Sequence, residues 1–181
     1  MATPVPLASK GTSKDPRGKA LGETLAGLQS RELIVGFSGP LGSGVGDVIE
    51  VVDAYLRECG YDVVRIKLSG LISEYATLAD PAETPAAVNQ LKGADRYDRL
   101  QTLGNKLRSA KGLDFLAQLA IRQVSMDRVN RHPGESFDEI VPKRVAYLID
   151  QLKHPSEVAL LRKVYDENFI LIGVLCGFQQ R

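Results

Sequence analysis

Cysteine is nearly absent: the 181 residues hold two, Cys59 in a helical pattern and Cys176 after a strand pattern, and no CxxC pair. That excludes a secreted disulfide framework and leads us to expect reduced thiols in a cytoplasmic protein. Histidine is equally scarce, with only His132 and His154. Two histidines and two cysteines on unrelated segments do not make a zinc site. The HPGE of residues 132–135 also lacks the HxE spacing and distant PCxxC of a zinc deaminase centre. Neither a metal site nor a catalytic set is expected within the chain. No charge sign dominates, since Lys plus Arg is 23 and Asp plus Glu is 22. Without a basic field, general attraction to DNA or an anionic membrane is not expected, and any polyanion must meet a local patch. Long hydrophobic runs are missing too. A run such as 170–176 falls far short of the ~20 residues of a membrane span, and MATPVPLASKGTSKDPRGK has no apolar signal-peptide core.

What is present is globular composition, 44% hydrophobic and 25% charged, in a length that fits one domain at about 150 residues each. We expect a flexible N-terminal tail over residues 1–30, with Leu21, Leu25 and Leu28 at helical spacing near its end, and a folded domain over 31–181. ELIVGFSG reads as a buried strand. Val48, Val51, Val52, Tyr55, Leu56 and Cys59 then form an amphipathic stripe ended by Gly60, and YDVVRIKLS follows as a second strand. Residues 75–93 carry two prolines and no sustained period, so they read as a long loop or a loosely helical excursion. Two helices divided at Lys111-Gly112 come next, then RVAYLID as strand, HPSEVALLRKVY as helix and NFILIGVLC as strand. Apolar strands alternating with helices predict an α/β fold with a mainly parallel sheet of about four strands, covered on both faces. The sequence stops five residues after the fourth strand, which reads as truncation.

GPLGSGVG, from Gly39 to Gly46, lies between the first strand and the first helix, where backbone N–H groups and a helix N-terminus hold phosphate oxygens. Gly39 and Gly44 fit the outer spacing of GxxxxGK[ST], with Gly42 and Ser43 inside. The positions of the phosphate-reaching lysine and the magnesium-binding hydroxyl are Val45 and Gly46. An anion cradle and a plain glycine turn both remain open, whereas phosphoryl transfer lacks its lysine. Asp150, ending VAYLID, has the place of a carboxylate that organises magnesium beside such a loop, and is equally readable as an exposed strand-end aspartate. Strands one and three would have to be neighbours for the two to meet. Lys153 and His154 are candidate replacements for the missing lysine, although Pro155, His154 and Glu157 are also accounted for by helix initiation alone. Arg108 and Arg162 are candidate phosphate forks, or parts of exposed helix faces.

The glycine loop, the GNKLR of residues 104–108 and, above all, YLIDQLKHPSEVALLRKVYDENFILIGVL resemble the N-terminal domain of bacterial deoxycytidylate deaminase-like proteins of anti-phage defence. The resemblance runs from about Glu32 to Arg181. It implies a three-layer, nucleotide-kinase-like P-loop domain that binds a nucleotide, with a nucleoside triphosphate and magnesium as the cofactors to expect. In that family a zinc-dependent dCTP/dCMP deaminase domain follows and depletes deoxycytidine nucleotides, so zinc and the hydrolase activity belong to the intact family rather than to these residues. The partners implied are the missing deaminase domain, a homo-oligomer and, because some members are restrained by one, a small RNA. A nucleoside or nucleotide kinase and a non-binding scaffold are the alternatives.

Overall fold

A computed structural model describes residues 32–135 and 144–176. The expected tail, the chain end and much of the polar segment after Glu135 lie outside them. The first strand, β1 (Glu32–Ser38), leads into α1 (Val45–Glu58), and β2 (Asp62–Lys67) into α2 (Leu68–Glu74). Two short helices, α3 (Ala76–Ala79) and α4 (Pro85–Gln90), occupy the proline-bearing excursion, so its loosely helical reading holds. Then come α5 (Gly93–Lys111), α6 (Phe115–Arg131), β3 (Val145–Asp150), α7 (Pro155–Tyr165), a 3-10 turn (Asp166–Asn168) and β4 (Phe169–Gly173). Leu68 and Ser69, expected to close the second strand, open α2 instead.

The four strands form one parallel sheet in the order β2-β3-β1-β4. Alternate residues of each strand serve opposite faces, as the two-residue strand period requires. Ile34, Ile66, Val145, Tyr147 and Ile149 join a core supplied by α2, α5, α6 and α7, while Val35, Phe37, Val63, Ala146 and Leu148 pack under α1. Helices therefore cover both faces of an α/β sheet. Among the described residues no helix is long and apolar enough to cross a membrane.

Helix α1 corrects the expected stripe. Its buried residues are Val45, Ile49, Asp53 and Leu56, whereas Val51 and Tyr55 are 69% and 65% exposed. The shift is possible because Asp53 enters the interface already paired, receiving Arg57 Nε at 2.5 Å and Arg65 Nε at 2.6 Å. Burial alone would raise its pKa; the two guanidinium groups outweigh that and hold the carboxyl below its usual range.

Candidate functional site at the carboxyl edge of the sheet

Strands β1 and β3 are neighbours, with Gly36 level with Ile149, so the glycine segment and Asp150 emerge at one edge. Ligands of open α/β sheets bind at such carboxyl ends. Beyond Ser38 the chain makes a turn closed by Ser43 N–H donating to the Pro40 carbonyl at 3.2 Å. Gly42, third in that turn, has φ 76°, and Gly44, the N-cap of α1, has φ 77°. Both conformations suit glycine because a Cβ would be strained there. Gly39 is needed for space instead: a Cβ would lie 2.6 Å from Val45 Cγ2, 2.7 Å from Ser43 Oγ and 2.8 Å from the Val174 carbonyl oxygen. Around Gly46 there is nothing within 4 Å of a Cβ.

The loop leaves donors unsatisfied. No side chain caps α1, and the first amide of the helix to bond an internal carbonyl is that of Val48, to Gly44 at 3.2 Å. The N–H groups of Val45, Gly46 and Asp47 find no acceptor among the described residues. Ser43 is 8% exposed, and its buried hydroxyl has no hydrogen-bond partner. Such a group ordinarily has a partner, so its isolation is informative. Val45 takes part differently: its side chain belongs to the core under α1, leaving only its amide for a ligand.

Across the edge, Lys153 Nζ donates to the Gly39 carbonyl at 3.3 Å, tying the β3–α7 connection to the start of the loop. Burial, and then the nearby Arg108 guanidinium, push the Lys153 ammonium below the usual lysine range, against the pull of Asp150 and Glu157. Burial also pushes the Asp150 carboxyl up, partly offset by Lys67, Lys153 and Arg65. Asp150 is half-buried, and no described residue donates a hydrogen bond to it. Beside substrate phosphates, one carboxylate of this kind is within the usual repertoire of magnesium. Gly46, at the position where a complete phosphate loop would carry its magnesium-binding hydroxyl, offers no side-chain ligand. Among the described residues no group of three or more His, Cys, Asp or Glu side chains could hold a metal ion.

His154 and Arg108 are placed near this edge but are engaged. His154 caps α7, its Nδ1 accepting from Ser156 N–H at 3.2 Å. Arg108 reaches from α5 to Glu157 through Nε at 2.8 Å and a terminal nitrogen at 2.7 Å. Glu157, fully buried, also accepts from the Lys153 and His154 amides at 2.9 and 3.0 Å. Arg162 is exposed in the last turn of α7. By sequence Glu157 is a helix-dipole carboxylate; in the fold it is also a buried anchor. A cavity of about 380 Å³, which no sequence motif announces, lies between α2, α5 and this edge, and its lining includes Gln101, Asn105, Gln151, Arg108 and Lys153. The periodicity of α5 carried a signal, because Tyr97, Gln101, Asn105 and Arg108 repeat at helical spacing. No family model matches this sequence, and no curated protein is significantly similar to it.

Proposed function

We propose that this chain is a degenerate P-loop, nucleotide-kinase-like domain that binds the phosphates of a nucleotide without transferring them. The observation that supports this most directly is the open N-terminus of α1, where unbonded amides and the unpartnered Ser43 hydroxyl lie at the same sheet edge as Asp150 and as Lys153, which bonds the Gly39 carbonyl. Backbone donors and the helix dipole favour an anion there, each dipole interaction contributing about 0.3–1 kcal/mol, so binding is modest and salt-sensitive. Transfer would need a cation at position 45 and a hydroxyl at 46, and these are Val45 and Gly46. The resemblance to deoxycytidylate deaminase-like proteins adds the biological role: a regulatory, nucleotide-sensing domain of an anti-phage enzyme, with the deaminase chemistry elsewhere.

Calorimetry with a deoxynucleoside triphosphate tests the reading. Gly44→Asp and Gly46→Asp both place a carboxylate among the open amides and should abolish binding, while Lys153→Ala should weaken it less. Gly46→Asp is the cleaner probe, because the position has free space and a first-turn carboxylate suits the helix dipole. Parental affinity in a folded Gly46→Asp protein would reduce the loop to a turn. The exposed Val51 and Tyr55, one turn apart on α1, would then favour the scaffold reading.

A further inference from the structure

We propose that the cavity between α2 and α5 is a nucleobase pocket, so that one nucleoside phosphate lies with its ring there and its phosphate toward Lys153 and the glycine loop. The phosphate end rests on the function proposed above; the ring end does not. At about 380 Å³ the cavity falls within the ~300–1,000 Å³ usual for small-molecule sites. Leu68, Ile72, Leu100 and Leu116 line it with apolar surface, and Tyr97 adds an aromatic ring. A flat ring with polar edges fits such walls only where the edges meet hydrogen-bonding groups.

Three carboxamides supply those groups. Gln101 and Asn105, one turn apart on α5, face the cavity with Gln151 from the end of β3, and the side chain of none of them hydrogen-bonds to another described residue. A carboxamide offers a donor beside an acceptor, the pattern that nucleobase edges also carry. Gln151 holds φ 73°, a left-handed conformation unfavourable for a non-glycine residue, while the next amide, that of Leu152, returns to bond the Phe37 carbonyl at 2.8 Å. That kink puts a carboxamide at the cavity wall in place of a continuing strand. Lys153 lines the cavity and also bonds Gly39, and Leu41 of the glycine segment lines it as well, so pocket and loop are contiguous. Arg108 is fixed at the same wall by Glu157.

The test uses the full chain, with adenosine, guanosine, cytidine, uridine, their 5′-monophosphates and inorganic tripolyphosphate as calorimetric probes. At least one monophosphate should bind the parent about tenfold or more tightly than either its nucleoside or tripolyphosphate. Gln101→Ala/Asn105→Ala, a change at two exposed positions, should weaken that monophosphate about tenfold or more and leave tripolyphosphate unaffected. The side-chain amide resonances of Gln101, Asn105 and Gln151 should shift on adding the nucleoside. If monophosphates bind the folded double variant as they bind the parent, or no nucleoside or monophosphate binds, the pocket is overturned. Tripolyphosphate binding that Gly46→Asp abolishes would still uphold the loop in that case. Nucleoside binding lost in the double variant, with no tripolyphosphate binding to the parent, would overturn the loop and leave the pocket.

Discussion

Two helices begin at the same edge of the sheet, and they begin in opposite ways. Helix α7 is closed by its own residues: His154 accepts from Ser156, Glu157 accepts from Lys153 and His154, and Pro155 brings no N–H to satisfy. Helix α1 starts on Gly44, has no side-chain cap and leaves Ser43 buried without a partner. Both starts fold, since a glycine N-cap is only a few tenths of a kcal/mol worse than the best capping residues. The difference is in what remains available afterwards. One terminus is satisfied by acceptors of its own chain, and the other leaves its donors open.

Removing the closure of α7 should have the largest effect. Glu157→Ala strands the Arg108 guanidinium and two amides beside a buried hole, and should destabilise the fold by about 3–5 kcal/mol in denaturant unfolding. A loss under about 1 kcal/mol would mean that water serves both ends equally well. Next is the spacing of the open terminus. Gly39→Ala pushes a Cβ against Val45, Ser43 and the Val174 carbonyl and should cost about 1–3 kcal/mol. Gly46→Ala, with nothing near, should stabilise by about 0.5–1 kcal/mol. Equal effects in thermal melts would erase the distinction between a packed and an open glycine.

Ser43→Ala sharpens the comparison further. It deletes a buried hydroxyl with no partner, so the ligand-free protein should gain about 1 kcal/mol while triphosphate binding weakens. A gain in stability with unchanged affinity would separate Ser43 from the ligand. The smallest effect is at Asp150, whose folded pKa is raised by burial. On a rising pH scale the unfolded carboxyl ionises first, so the folded state loses stability between the ordinary aspartate pKa and the raised one. Asp150→Asn should therefore match the parent well below pH 4 and be modestly more stable at neutral pH, as followed by urea unfolding across that range. A neutral-pH loss of stability would show that the carboxylate is paired after all.

The strands, the position of the glycine segment and the start of α7 could all be read from the sequence, because each is set by local chemistry: apolar runs, glycines, Pro155 after His154. The errors share a cause. Val51 and Tyr55 were expected inside because hydrophobic spacing does not reveal that Arg65, on the following strand, escorts Asp53 into the interface. Glu157 looked like an ordinary first-turn acid because its partner Arg108 lies 49 positions earlier. The carboxamides of the cavity come from α5 and from the residue that follows β3, and meet only once the chain has folded. Pairing across distant segments is carried by tertiary packing, and no local window contains it.

The order of the sheet also imposes a timetable. β1 sits between β3 and β4, and its first pairing, Glu32 with Val145, joins positions more than a hundred residues apart. At a synthesis rate of about 5–20 residues per second, β1 waits on the order of 5–20 seconds before either neighbouring strand exists. During that interval ELIVGFS is an unpaired apolar segment carrying a single charge. Slow, non-local closure of this kind is the regime in which folding rates fall and nascent chains need shielding.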